Sequence, residues 1–103
     1  MKNYFYLNPS KMMELSRQLT GSEIKMVYGI MYCLSDNGER WFVNNKENRA
    51  KLATIEFDKS PEWISVILSK LVKKGVLKRE AQGVFSLIDG LFINPNEKVV
   101  SLP

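Results

Sequence analysis

The side chains best suited to engage another molecule crowd into one third of this chain. Residues 46–79 hold nine Lys/Arg against four Asp/Glu, a net +5, while the rest holds six against seven, a net −1. Within that third, hydroxyls and amines recur along SPEWISVILSKLVKKG (60–75): Ser60, Ser65, Ser69, Lys70 and Lys73, preceded by Lys59 and followed by Lys78-Arg79. Hydroxyl donors interleaved with cations are the chemistry of anion recognition, phosphates above all. Other chemistries lack their parts. There is no histidine, which removes the commonest general base and metal ligand together. Cys33 is the only cysteine and sits in the apolar run MVYGIMYCL, the setting of a buried, inert thiol; no internal disulfide can form. No phosphate-binding glycine loop or paired-carboxylate motif organises a reaction. An enzyme is not expected, and neither is a cofactor or a bound metal.

Positioning those donors requires a helix over 60–74. Ser60 is a good N-cap, Pro61 suits the first helical position, and Gly75 stands where a helix ends in the left-handed conformation. Lys73 and Lys74 complement the negative end of the helix dipole. Ile64, Ile67, Leu68 and Leu71 share one stripe facing the core. The opposite side carries Glu62, Val66, Ser69 and Lys73, flanked by Ser65, Lys70 and Trp63. Small side chains let a helix approach base-pair edges, and the helix N-terminus at Ser60 offers N–H groups to a phosphate. Glu62 suits either a cytosine amino group or the helix dipole, the second being favoured. Trp63 suits boundary packing ahead of an outward contact. The same helix, taken alone, is also what any soluble protein shows: an apolar stripe with a wet back.

The remaining elements follow in order. Asn8 and Pro9 start a short helix with Met12, Met13, Leu15 and Leu19 as apolar contacts, after an extended arm YFYL. Thr20-Gly-Ser-Glu23 is a capping box. Ile24, Val27, Tyr28, Met31 and Leu34 then follow at helical spacing to a turn at Asp36-Asn37-Gly38. Trp41-Phe42-Val43 reads as one short strand. Asn45 caps a third helix with Ala50, Ala53 and Leu52 as its apolar positions, where Arg49 and Lys51 are candidates for backbone phosphates. Ile55 to Lys59 reads as a turn. Val76 to Glu80 and Val84 to Ile88 are strands around an Ala81-Gln82-Gly83 turn whose tip, Gln82 and Gly83, suits a minor groove as well as an ordinary hairpin. Leu91-Phe92-Ile93 packs back on the domain and 94–103 is a tail. The expectation is one domain over 1–103: arm and helix 1–19, core 20–93, tail 94–103. Its class is α+β, mainly α, a winged helix-turn-helix with an extra N-terminal helix and a two-stranded wing.

LTGSEIKMVYGIMYCL, KENRAKLA, SPEWISVILSKLVKKGVLKRE and GVFSLIDGLF together resemble the winged helix of the RepL-type plasmid and phage replication initiators, over roughly residues 19–93, and more loosely the MarR-like regulators. The chain departs from that pattern at Asp58-Lys59-Ser60, at Val66 and at Asp89-Gly90. The resemblance implies a role in plasmid or mobile-element replication initiation, or in transcriptional regulation. The expected partner is double-stranded DNA, contacted from Arg49, Lys51, Lys59, Ser60, Glu62, Trp63, Ser65, Val66, Ser69, Lys70, Lys73, Lys78, Arg79, Gln82 and Gly83. A homodimer built on the N-terminal helix suits two half-sites. The alternative is a protein–protein module using the YFYL arm, Trp63 and the tail KVVSLP. With no apolar leader and no membrane-length apolar run, the chain is expected in the cytoplasm.

Overall fold

Local capping signals determine where most helices begin. In the computed structural model, which describes residues 6–37, 41–55 and 59–93, the order is β1 (Tyr6–Leu7), α1 (Pro9–Ser16), α2 (Gly21–Asn37), β2 (Phe42–Val43) and α3 (Lys46–Ala53), then α4 (Pro61–Lys73), β3 (Leu77–Ala81), β4 (Val84–Leu87) and β5 (Phe92–Ile93). Asn8 accepts from the Lys11 N–H at 3.2 Å, Asn45 from Asn48 at 2.8 Å and Ser60 from Trp63 at 3.1 Å, each satisfying a first-turn donor. At α2 the capping box closes in both directions: Thr20 N–H donates to Glu23 Oε1 at 2.8 Å, and Glu23 N–H donates to Thr20 Oγ1 at 3.2 Å.

The end of α4 is a full Schellman turn. Gly75 has φ +78, its N–H donates to Val72 O at 3.1 Å, and the Val76 N–H donates to Leu71 O at 3.0 Å. This reversal launches β3 directly from α4. Glu23, buried at the start of α2, receives Lys74 Nζ at 2.7 Å from the C-cap of α4. Burial raises the Glu23 pKa, but the bonds from Lys74 and Thr20 outweigh it and hold the carboxyl below its ordinary value.

The fold is α+β and mainly helical. One antiparallel sheet has the order β2–β4–β3, with Phe42 opposite Phe85, Leu77 opposite Leu87 and Arg79 opposite Phe85. A register shift lies between Arg79 and Ala81, beside the turn at Gln82 and Gly83. A second, two-stranded pairing joins β1 to β5, and the Asn8 N–H donates to Leu91 O at 2.8 Å. The core gathers Met26, Val27, Ile30 and Leu34 of α2, Leu52 of α3, the α4 stripe Ile64, Ile67, Leu68 and Leu71, and Phe42, Val76, Phe85 and Leu91. Each large apolar side chain buried this way is worth about 1.5–3 kcal/mol over exposure. α2 packs against both α3 and α4, and α4 against β3.

Several expectations need correction. The strand at Phe42 joins the hairpin, so the sheet has three strands where a two-stranded wing was expected. Ala81 belongs to β3, which leaves Gln82 and Gly83 as the turn. The inner face of α2 is Glu23, Met26, Val27, Ile30, Cys33 and Leu34, and Tyr28 is 49% exposed. Seating the Glu23 carboxylate inside against Lys74 rotates the buried stripe away from Tyr28. On α3 the buried pair is Asn48 and Leu52, one turn apart, and Ala50 is exposed. Asn48 tolerates burial because its Nδ2 donates to Val43 O at 2.8 Å. Met13 is exposed, while its neighbour Met12 is buried. α2 continues through Asp36 and Asn37, where a turn was expected. Cys33 is buried as expected, its Sγ 3.8 Å from Asn48 O. Leu91 is fully buried and Phe92 pairs with Leu7, which draws the chain after the hairpin back onto the domain. The expectations for Tyr4, Phe5, Gly38, the turn at 56–58 and the tail 94–103 lie outside the described residues. Among the described residues, no helix is long and apolar enough to cross a membrane, and no cluster of three His, Cys, Asp or Glu is placed to hold a metal.

Candidate nucleic-acid interface

Burying the α4 stripe turns the rest of that helix outward. Glu62, Ser65, Val66, Lys70 and Lys73 are exposed, with Val66 at 55%, and Ser69 is half-buried where the helix meets the hairpin. Trp63 is half-buried against the core, and Lys59 Nζ lies 5.6 Å from its ring centre. At the N-terminus of α4 the Ser60 side chain takes the Trp63 N–H, the Ser60 carbonyl takes that of Ile64, and Pro61 has none. Glu62 alone is left to present a backbone N–H in that first turn, so this helix end is a weaker anion site than its sequence suggests.

The structure collects a narrower set of residues around a cleft of about 560 Å³ between α4 and the β3–β4 hairpin. Its lining is Asn44, Ser65, Ser69, Arg79, Ala81, Gln82, Gly83 and Phe85. Ser65 and Ser69 are one helical turn apart and therefore share a side of α4. Arg79 stands opposite Phe85 in the sheet; its guanidinium lies 5.4 Å from the Phe85 ring centre and donates to Ser69 Oγ at 3.4 Å. Lys78, next in the strand, points to the other face with Ser86, its cross-strand partner. That face also holds the Glu80 carboxylate, which accepts from Ser86 Oγ at 3.1 Å.

Asn44 is the hub that reading the chain alone missed. Its N–H donates to Gly83 O at 2.8 Å, which fixes the hairpin tip. Arg49 Nη1 donates to Asn44 Oδ1 at 3.0 Å and to Asn44 O at 3.3 Å. Asn44 Nδ2 then donates to Ser65 Oγ at 3.2 Å. Arg49 is half-buried, and its bonds go to Asn44, so it holds the cleft wall in addition to contributing charge. Lys51 is half-buried on α3 and already engaged.

Of the residues expected to contact DNA, Ser65, Ser69, Arg79, Gln82 and Gly83 line the cleft. Glu62, Val66, Lys70 and Lys73 lie on the adjoining outer face of α4. Lys51, Lys59 and Lys78 do not line the cleft. Asn44, Ala81 and Phe85 are additions. The only local sign of Asn44 was its place beside the capping Asn45, and its role depends on partners five, twenty-one and thirty-nine residues away. No family model, no curated protein and no solved structure matches this chain.

Proposed function

We propose that this protein is a winged-helix binder of double-stranded DNA, with α4 entering the major groove and the β3–β4 hairpin lying against backbone or minor groove. The observation that carries the reading is the continuity of two surfaces on the basic third of the chain. The exposed face of α4, with Lys70 and Lys73, runs into the cleft where two serines of the helix face Arg79 of the hairpin. The order α3, α4, hairpin suits a winged helix, and the resemblance to RepL-type initiators points to plasmid or mobile-element replication, or to transcriptional regulation. A homodimer fits the reading of two half-sites. The activity proposed is binding, in the cytoplasm.

A second reading has its own observation. Met13, Tyr28, Tyr32 and Trp41 are all substantially exposed, at 67%, 49%, 44% and 53%. Such side chains suit a protein partner. Anisotropy titrations of labelled duplex across a range of salt separate the two readings. Groove binding predicts affinity that falls steeply with salt, whereas a module for protein contact leaves the duplex unbound.

A further inference from the structure

We propose that the cleft between α4 and the hairpin is a phosphate seat, in which Ser65 and Ser69 act as hydrogen-bond donors to backbone oxygens and do not read bases. The proposal rests on the duplex reading for its ligand, and its chemistry comes from hydrogen-bond direction. A guanidinium can only donate. Arg49 therefore requires the Oδ1 of Asn44 to face it, which turns Nδ2 toward Ser65. Ser65 Oγ thus accepts from Asn44. In the same way Ser69 Oγ accepts from Arg79. A hydroxyl whose oxygen is occupied as an acceptor still has its proton to give. Ser16 and Thr54 donate theirs to the carbonyls of Met13 and Lys51, at 2.9 and 2.6 Å. Neither Ser65 nor Ser69 makes such a bond back to its own helix.

Two arginines, one of them working through Asn44, have thus set both serine protons free at the same cleft. The remaining donors of Arg79 and the positive charge of both guanidiniums complete an environment for an anion. The carboxylate nearest in sequence, Glu80, is held by Ser86 on the other face of the sheet. About 560 Å³ is ample for a phosphodiester with its flanking sugars, against Ala81 and Phe85. Base reading then falls to Val66, Lys70 and Lys73 on the outer face of α4.

The test compares the full chain with the double variant S65A/S69A and with R79Q. Alanine is favoured in helices, so the double variant keeps its fold, which a thermal melt checks. Duplexes of several sequences are titrated by anisotropy over a salt series. Loss of the two serine donors should weaken every duplex alike, by about tenfold, with the salt slope unchanged, because neutral hydroxyls displace no counterions. R79Q should reduce the slope by about 0.9. Unchanged affinity of the double variant, or a changed ranking of sequences, overturns the proposal. If the wild type binds no duplex, the DNA reading fails by itself, and inorganic phosphate decides the cleft. Saturable amide shifts centred on Ser65, Ser69 and Arg79 that vanish in S65A/S69A sustain a phosphate seat. Shifts that are absent, or scattered over surface lysines, overturn it.

Discussion

Arg49 and Arg79 govern the residue scale, because each forces the direction of the hydrogen bonds beyond it. The wall of the cleft is therefore tuned without any buried charge pair at the cleft itself. Glu62 is the discordant residue of the outer face, a carboxylate on a surface otherwise suited to phosphates. Its place in the first turn of α4 assigns it to the helix dipole. That role makes a definite prediction for Glu62→Gln. The thermal stability should fall slightly, by about 0.3–1 kcal/mol. Duplex affinity should rise on every sequence alike. A variant that instead changed its preference at cytosine positions would identify Glu62 as a base reader.

At the scale of elements, the junction between α4 and β3 carries the geometry of the site. Gly75 adopts φ +78, and a side chain there would meet nothing within 4 Å. Gly75→Ala therefore isolates backbone strain from crowding, and denaturant titration should show a loss of about 1–2 kcal/mol. Glu23 ties the start of α2 to the end of this same helix. Glu23→Gln keeps an acceptor for the Thr20 N–H but removes the charge facing Lys74, with an expected loss of about 1–2 kcal/mol near neutral pH. Because the folded carboxyl is held below the ordinary 4.5, its contribution is fully present above that value. It declines as pH falls from there through the lower folded value. The stability gap between wild type and variant should close on acidification, and a gap that widened in acid would contradict the assigned direction. These local devices were legible in the sequence, since Ser60, Gly75 and the Thr20–Glu23 box each act within a few residues of themselves. The inward turn of Glu23 was not legible, because its partner Lys74 is fifty-one positions away. The same distance problem hid the exposure of Tyr28.

On the scale of the whole molecule, long-range pairings shape what the sequence only outlined. Phe42 and Val43 complete the sheet by joining Phe85 and Val84, and β1 is clipped to β5 across almost the whole described chain. Neither pairing has a turn residue or a periodicity to announce it. The cleft inherits that difficulty: its serines and Arg79 stood out as donors, but Asn44 and Phe85 acquire meaning only when β2, α4 and the hairpin meet. The charge asymmetry was fully legible, and it makes the central claim measurable. Duplex affinity should be determined for the full chain across a salt series. If Arg79, Lys70, Lys73 and one or two neighbouring cations displace counterions together, the slope of log affinity against log salt should be about −4. A flat slope, or no duplex binding at low salt, would contradict the account.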